Sequence, residues 1–318
     1  MTDINIVFLD QATIPAGRKI PRPNFPHHWT DYDNTSPEQC YERCKEADIV
    51  VTNKVIFDRE LLQRLPKLKL IALTATGMNN VDLEAAKELG IEVKNVAGYS
   101  NVSVPEHVIG MIFALKHSLI GYHRDQITSD RWATCGQFCY TDHPISDVRG
   151  STLGVIGKGA LGSEVARLAE LLGMNVIFAE RQGASEIRAG YLPFEQVLAQ
   201  ADIVTLHCPL TEQTKHIINQ QTLSLMKNSA YLINTGRGPL IDEKALLTAL
   251  ENGQIAGAAL DVLTKEPPEL NDPLIQAAKR LPNLLITPHV AWASDSAVET
   301  LIGKVRDNIE EFIKNDSY

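Results

Sequence analysis

The residues of this chain most able to do chemistry are one glycine-spaced turn and three polar side chains far behind it. Gly157-Lys158-Gly159-Ala160-Leu161-Gly162 follows the apolar run Leu153-Gly154-Val155-Ile156 and precedes a helical pattern. In that setting the first glycine allows a tight turn, the second lets backbone approach a pyrophosphate, and the third lets helix pack on strand. N–H groups at the helix start then hold the phosphates. An acid, Glu180, ends the next apolar run, where a carboxylate accepts hydrogen bonds from an adenosine ribose. Gly157, Gly159, Ala160, Leu161, Gly162 and Glu180 therefore read as a dinucleotide cradle. Arg181 suits a 2′-phosphate, but Glu180 repels one, so NAD is favoured and NADP is not excluded; removing Glu180 should improve the use of NADPH.

The three later side chains complete a reaction. His289 follows Leu284-Leu285-Ile286-Thr287-Pro288 and so sits at the carboxyl end of a strand, the edge where open α/β sheets bind ligands. Its imidazole can take a hydroxyl proton as an alcohol becomes a carbonyl, and return it in the reverse direction. Arg237, between Gly236 and Gly238, offers a planar fork to a carboxylate. Glu266, just before Pro267-Pro268, would orient His289 and favour its imidazolium form. Each residue alone is commonly a satisfied or solvated side chain; their co-occurrence at one sheet edge is what carries the reading. It is hydride exchange between nicotinamide and C2 of a small 2-hydroxy or 2-oxo acid.

Two sets of short apolar runs must hold these groups. The first covers 4–9, 48–52, 68–74 and 91–96, with helical patterns at 37–47 and 83–89. The second covers 152–156, 175–179, 203–207, 230–234, 255–260 and 284–287, with a helix at 161–172 whose Leu161, Val165, Leu168, Ala169 and Leu172 share one face. Such alternation is the mark of parallel α/β architecture, here two doubly wound domains. A helix is expected at 108–119 and another at 295–312. The stretch 131–147, with Trp132, Phe138 and Tyr140, reads as an irregular arm that either contacts a second subunit or folds back.

Composition narrows the partners. A net charge of −9 is opposite to a nucleic-acid footprint. No run of about 18 apolar residues and no basic start before an apolar segment suggests a membrane or secretory route, so a cytoplasmic protein is expected. Cys40/Cys44 and Cys135/Cys139 are spaced alike, yet neither spacing matches a zinc pattern; reduced thiols and no metal are expected.

With Arg237, Glu266 and His289 in that order behind the glycine turn, the sequence resembles the D-isomer-specific 2-hydroxyacid dehydrogenase family over nearly its whole length. Supporting stretches are Asn234-Thr235-Gly236-Arg237-Gly238-Pro239-Leu240-Ile241-Asp242, Gly257-Ala258-Ala259-Leu260-Asp261-Val262 and Thr287-Pro288-His289-Val290-Ala291-Trp292-Ala293. The resemblance implies a Rossmann NAD-binding domain, 103–287, inserted into a flavodoxin-like substrate domain, 1–102 and 288–318. It implies that Asp261 contacts the nicotinamide carboxamide, and that Cys208, Pro209, Thr214, Thr235 and Gly236 line the cofactor together with Arg237 and His289. It also implies a homodimer built through the cofactor domain.

Within the family, Ala75-Thr76-Gly77-Met78-Asn79-Asn80-Val81-Asp82, Gly98-Tyr99-Ser100 and Ala291-Trp292-Ala293 look most like the glycerate dehydrogenase, or hydroxypyruvate reductase, branch. D-glycerate and hydroxypyruvate, with glyoxylate, are then the expected substrates. Backbone N–H groups of Ala75, Thr76 and Gly77 would bind the substrate carboxylate along with Arg237, with His289 and Trp292 beside it. The alternatives are a D-lactate or phosphoglycerate type of dehydrogenase, or a non-catalytic NAD-sensing protein of the co-repressor kind. One departure is that Glu180 stands where many members carry aspartate.

Overall fold

The computed structural model describes residues 4–315. It divides into two compact units: one ends at Ser100 and resumes at Ala293, and the other runs Asn101–Trp292. The return to the first unit was expected at 288. Residues 288–292 stay with the second because the Asp261 carboxylate accepts hydrogen bonds from Val290 N and Ala291 N, both at 2.9 Å.

The first unit is a five-stranded sheet of β1 (Ile4–Phe8), β2 (His27–Asp31), β3 (Ile49–Thr52), β4 (Leu70–Leu73) and β5 (Glu92–Lys94). The strands run parallel in the order β2-β1-β3-β4-β5, the flavodoxin-like arrangement. Helices α1 (Pro37–Cys44), α2 (Arg59–Gln63) and α3 (Leu83–Glu88) connect them. β3 and β4 are buried along their whole length, as parallel strands covered on both faces must be. β2 escapes the apolar pattern: it is His-His-Trp-Thr-Asp at the sheet's edge, where a solvated strand needs no apolar face.

The second unit opens with α4 (Ser103–Lys116), α5 (Leu119–Thr128) and α6 (Arg131–Thr134). α4 begins five residues before its apolar pattern does, because Pro105 falls in the first turn, where no N–H is required. Ser118, at φ 48°, breaks α4 from α5, a largely polar helix that hydrophobic periodicity does not mark. Then follow β6 (Thr152–Ile156), α7 (Ala160–Leu171), β7 (Asn175–Ala179), α8 (Phe194–Gln200), β8 (Ile203–Leu206), α9 (Gln220–Leu223), β9 (Tyr231–Asn234), α10 (Glu243–Glu251), β10 (Gly257–Leu260), α11 (Pro273–Ala278) and β11 (Leu284–Ile286).

These six strands pair in parallel as β11-β10-β9-β8-β6-β7. A single bridge from Ala179 to Leu192 lies beyond β7, in the place of the third strand of a Rossmann sheet. The chain closes with α12 (Asp295–Asn315), which belongs to the first unit and packs against β4. α12 buries Val298, Leu301, Val305, Ile309 and Phe312, and Lys304 Nζ and Asn308 Nδ2 donate to the carbonyls of Ala97 and Asn95.

Candidate active site

The order of the second sheet reverses at β6, whose neighbours are β7 on one side and β8 on the other. Ligands bind beyond the carboxyl ends of strands at such a point. The glycine turn starts there, and its three glycines do different work. Gly157 has φ 102°, and a Cβ on it would stand 2.5 Å from Cys208 N and 2.6 Å from His207 C. A Cβ on Gly162 would stand 2.0 Å from Gly157 O. These two glycines are demanded by the fold itself. A Cβ on Gly159 meets nothing within 4 Å, so this glycine leaves an open face at the start of α7.

The surroundings suit a dinucleotide. Thr235 Oγ1, just past β9, is buried with no hydrogen-bond partner, an uncompensated polar atom that a ligand would satisfy. Burial pushes the Cys208 thiol up to about 11, so it lines the turn as an uncharged group. Burial also holds His207 down at about 4; its neutral ring has Nε2 2.9 Å from Thr205 Oγ1. Thr214 has a structural job, its hydroxyl donating to Pro209 O at 2.7 Å and closing the turn that carries Pro209.

Glu180 ends β7 as expected but is not a free carboxylate. Arg188, from the loop that follows, donates Nε to Oε2 at 2.6 Å and Nη2 to Oε1 at 2.7 Å. Arg181 N adds a bond to Oε1 at 2.8 Å. The guanidinium foremost, then the backbone N–H of Arg181, holds the carboxyl down at about 2. A carboxyl depressed on folding contributes stability above its ordinary value of 4.5 and loses it as pH falls through about 2. Urea unfolding of the parent and an Arg188→Gln variant should therefore differ most above about pH 5 and converge towards pH 2. A difference that does not change with pH means the pair contributes nothing through its charge.

The edge that carries the three candidate side chains is built by three adjacent strands, β9, β10 and β11. Arg237 lies three residues past β9, Glu266 in the loop after β10, and His289 three residues past β11. The loops of Arg237 and Glu266 touch: a Cβ on Gly238 would lie 2.0 Å from Leu263 C, so only glycine permits that approach. His289 Nδ1 stands 2.7 Å from Glu266 Oε2, and Glu266 Oε1 accepts Leu263 N at 2.9 Å. A carboxylate only accepts, so Nδ1 carries the proton and Nε2 is the nitrogen able to accept one. Arg237 donates Nη1 to Gly236 O at 2.7 Å, which pins the base of its fork.

His289 is held in a left-handed backbone conformation, φ 55°, that a non-glycine residue keeps only when its surroundings enforce it. The enforcement comes from Asp261, 1% exposed at the end of β10. Its carbonyl accepts His289 N at 2.8 Å, and its carboxylate accepts Thr287 Oγ1 at 2.5 Å besides Val290 N and Ala291 N. His107 on α4 stands 3.2 Å from Thr287 Oγ1 and 3.8 Å from Asp261 Oδ1. Asp261 thus clamps the His289 loop, work that the resemblance did not assign to it. Trp292 Nε1 donates to His289 O at 2.9 Å and so braces the same loop.

Sequence reasoning placed Arg237, Glu266 and His289 at one edge, and it missed Arg188 and His107. No motif marks Arg188, eight residues beyond Glu180; His107 sits inside an apolar helix pattern where a histidine reads as core. The Ala75-Thr76-Gly77 loop belongs to the first unit, following β4. There Thr76 Oγ1 donates to Val96 O at 2.9 Å, and Thr74 Oγ1 is buried without a hydrogen-bond partner. Cys40 and Cys44 are buried on α1, and no group of three His, Cys, Asp or Glu able to hold a metal occurs among the described residues.

Residues 109–291 match the family described as D-isomer specific 2-hydroxyacid dehydrogenase, NAD binding domain. A Haemophilus influenzae chain that carries a provisional 2-hydroxyacid dehydrogenase name is 67% identical over 98% of this chain and 98% of its own length. The glycerate dehydrogenase of Methylorubrum extorquens is 46% identical over 97% of this chain and 96% of its own. Among solved structures, a D-lactate dehydrogenase of Aquifex aeolicus complexed with NAD and lactic acid superposes with a TM-score of 0.82 at 28% identity. It covers 98% of this chain and 96% of that one.

Proposed function

The chain belongs to the D-isomer-specific 2-hydroxyacid dehydrogenase family and is an NAD-dependent oxidoreductase, and from that premise we propose that it interconverts D-glycerate and hydroxypyruvate, with glyoxylate as a further 2-oxo substrate. The observation that carries the chemistry is the 2.7 Å bond from His289 Nδ1 to Glu266 Oε2 at the carboxyl edge of the sheet that bears the glycine turn. The choice of glycerate is supported by likeness to the Methylorubrum extorquens enzyme over 97% of this chain.

When bound, NAD supplies or accepts the hydride at C2. Arg237 holds the carboxylate through the donors that Gly236 O does not take. His289 exchanges the C2 hydroxyl proton through Nε2, while Glu266 keeps the ring oriented and stabilises the imidazolium formed during oxidation. Asp261, Thr287 and Trp292 hold that ring at its station from behind.

Reduction of hydroxypyruvate, glyoxylate, pyruvate and 3-phosphohydroxypyruvate, followed by nicotinamide absorbance, tests the substrate. Hydroxypyruvate should give the highest kcat/KM; a clear preference for pyruvate or the phosphorylated acid overturns glycerate, and no turnover on any overturns the enzyme reading. Arg237→Lys should raise KM for the 2-oxo acid at least tenfold, because charge is kept and the planar fork is lost. Unaltered KM and kcat would remove Arg237 from substrate binding.

The protein works as a homodimer in the cytoplasm. The exposed apolar side chains of Ile127, Trp132 and Phe138 on the second unit support a subunit contact, and five unpaired cysteines suit a reducing compartment. No helix among the described residues is long and apolar enough to cross a membrane.

A further inference from the structure

We propose that the adenosine end of the cofactor site accepts a 2′-phosphate, so that NADP(H) is a second cofactor, with Arg188 as the residue that decides it. The inference rests on the dinucleotide reading of the site and is independent of which hydroxy acid is reduced.

A carboxylate has about four acceptor positions. Glu180 fills them all: Arg181 N and Arg188 Nη2 on Oε1, Arg188 Nε and Arg188 N on Oε2, the last at 3.3 Å. With 4% of the residue exposed, a ribose diol reaches this carboxylate only by displacing the guanidinium. The charge that would repel a 2′-phosphate is also cancelled by a cation in direct contact.

Arg188 is fixed on a second side, its Cζ 4.1 Å above the Tyr191 ring. Lys158, from the glycine turn, lies 4.3 Å from the centre of the Phe178 ring and 5.6 Å from that of Tyr191. Arg181 adds an exposed cation directly after Glu180. Arg188 and Lys158 thus both lie against the Tyr191 ring, beside a neutralised acid at the end of the second Rossmann strand, where the ribose is held. Glu180 here anchors and aims Arg188, which still has free guanidinium donors for a phosphate. The expected consequence of removing Glu180 reverses: Arg188 loses its anchor and use of NADPH does not improve.

The test is calorimetric titration of the full-length protein with 5′-AMP and with 2′,5′-ADP, which differ only in the 2′-phosphate. The unaltered protein should bind 2′,5′-ADP at least about tenfold tighter, with the preference shrinking between about 50 and 200 mM salt. Arg188→Gln should abolish the preference and leave 5′-AMP within about threefold. Glu180→Gln should not tighten 2′,5′-ADP, and kcat/KM with NADPH should lie within about tenfold of that with NADH.

Equal or weaker binding of 2′,5′-ADP by the unaltered protein overturns the proposal, as does a preference that survives Arg188→Gln. Tightening of 2′,5′-ADP by Glu180→Gln overturns the anchoring role of Glu180. Because Arg188 is largely exposed, its replacement leaves the fold intact. The nucleotide titrations read the site without turnover, so a missing 2-oxo acid activity sinks the dehydrogenase reading and leaves this result standing.

Discussion

Replacing His289 with alanine lowers kcat for hydroxypyruvate by about 10² to 10⁴, with NADH binding unchanged within about twofold. In the proposed reaction position 289 supplies the proton, and the glycine turn lies on a different strand end. His289 Nδ1 is committed to Glu266 at 2.7 Å, so alanine removes the imidazole and its proton-exchanging nitrogen while Glu266 keeps its bond from Leu263 N. Water that enters the vacated space is a poor replacement, because it lacks the oriented imidazole that exchanges the proton. Glu266→Gln should cost less, since an amide oxygen still accepts from Nδ1 while the counter-charge is lost. Steady-state kinetics with fluorescence titration of NADH checks both variants; a His289→Ala enzyme with unaltered kcat would falsify the acid/base assignment.

Asp261→Asn has the second large effect, on stability and rate together. Its carboxylate accepts from Thr287 Oγ1, Val290 N and Ala291 N inside a nearly sealed site. An amide presents N–H groups to at least one of those donors and leaves it buried and unsatisfied, a cost of roughly 2 to 4 kcal/mol. For a unit of this size the thermal transition of the cofactor-free protein should fall by about 5 to 15 °C. Since the same bonds hold His289 at φ 55°, kcat should fall at least tenfold. The alternative job, contact with the nicotinamide carboxamide, predicts weaker NADH binding with an unchanged transition in the cofactor-free protein, and that outcome would end the clamp argument.

The parts of this architecture that depend on burial were legible in the residues. Strands β3, β4, β8, β9 and β10 are covered on both faces and so are largely apolar, which is why their runs stood out. β2 and α5 were not legible, because a polar edge strand and a solvated helix bury too little to impose a period on the sequence. The placing of Arg237, Glu266 and His289 at one sheet edge was legible since each follows a strand, and strand ends are fixed by the fold. Arg188 reaches Glu180 across an irregular loop whose path no period encodes, and that one contact changes the electrostatics of the ribose end. The clamping work of Asp261 was not legible. Its engagement with a loop 26 to 30 residues ahead is a tertiary fact that spacing does not express.

The last helix has a consequence for how the polypeptide is made. β4 is covered by α12, yet roughly 200 residues, the whole inserted unit, separate β5 from that helix. At ribosomal speeds of about 5 to 20 residues per second, the nascent first sheet waits on the order of 10 to 40 s with a greasy surface bare. The inserted unit emerges with all of its own strands and helices and can complete itself meanwhile. Birth order and assembly order therefore run opposite ways: the segment synthesised first is finished last, and it is the segment most in need of a chaperone's shelter.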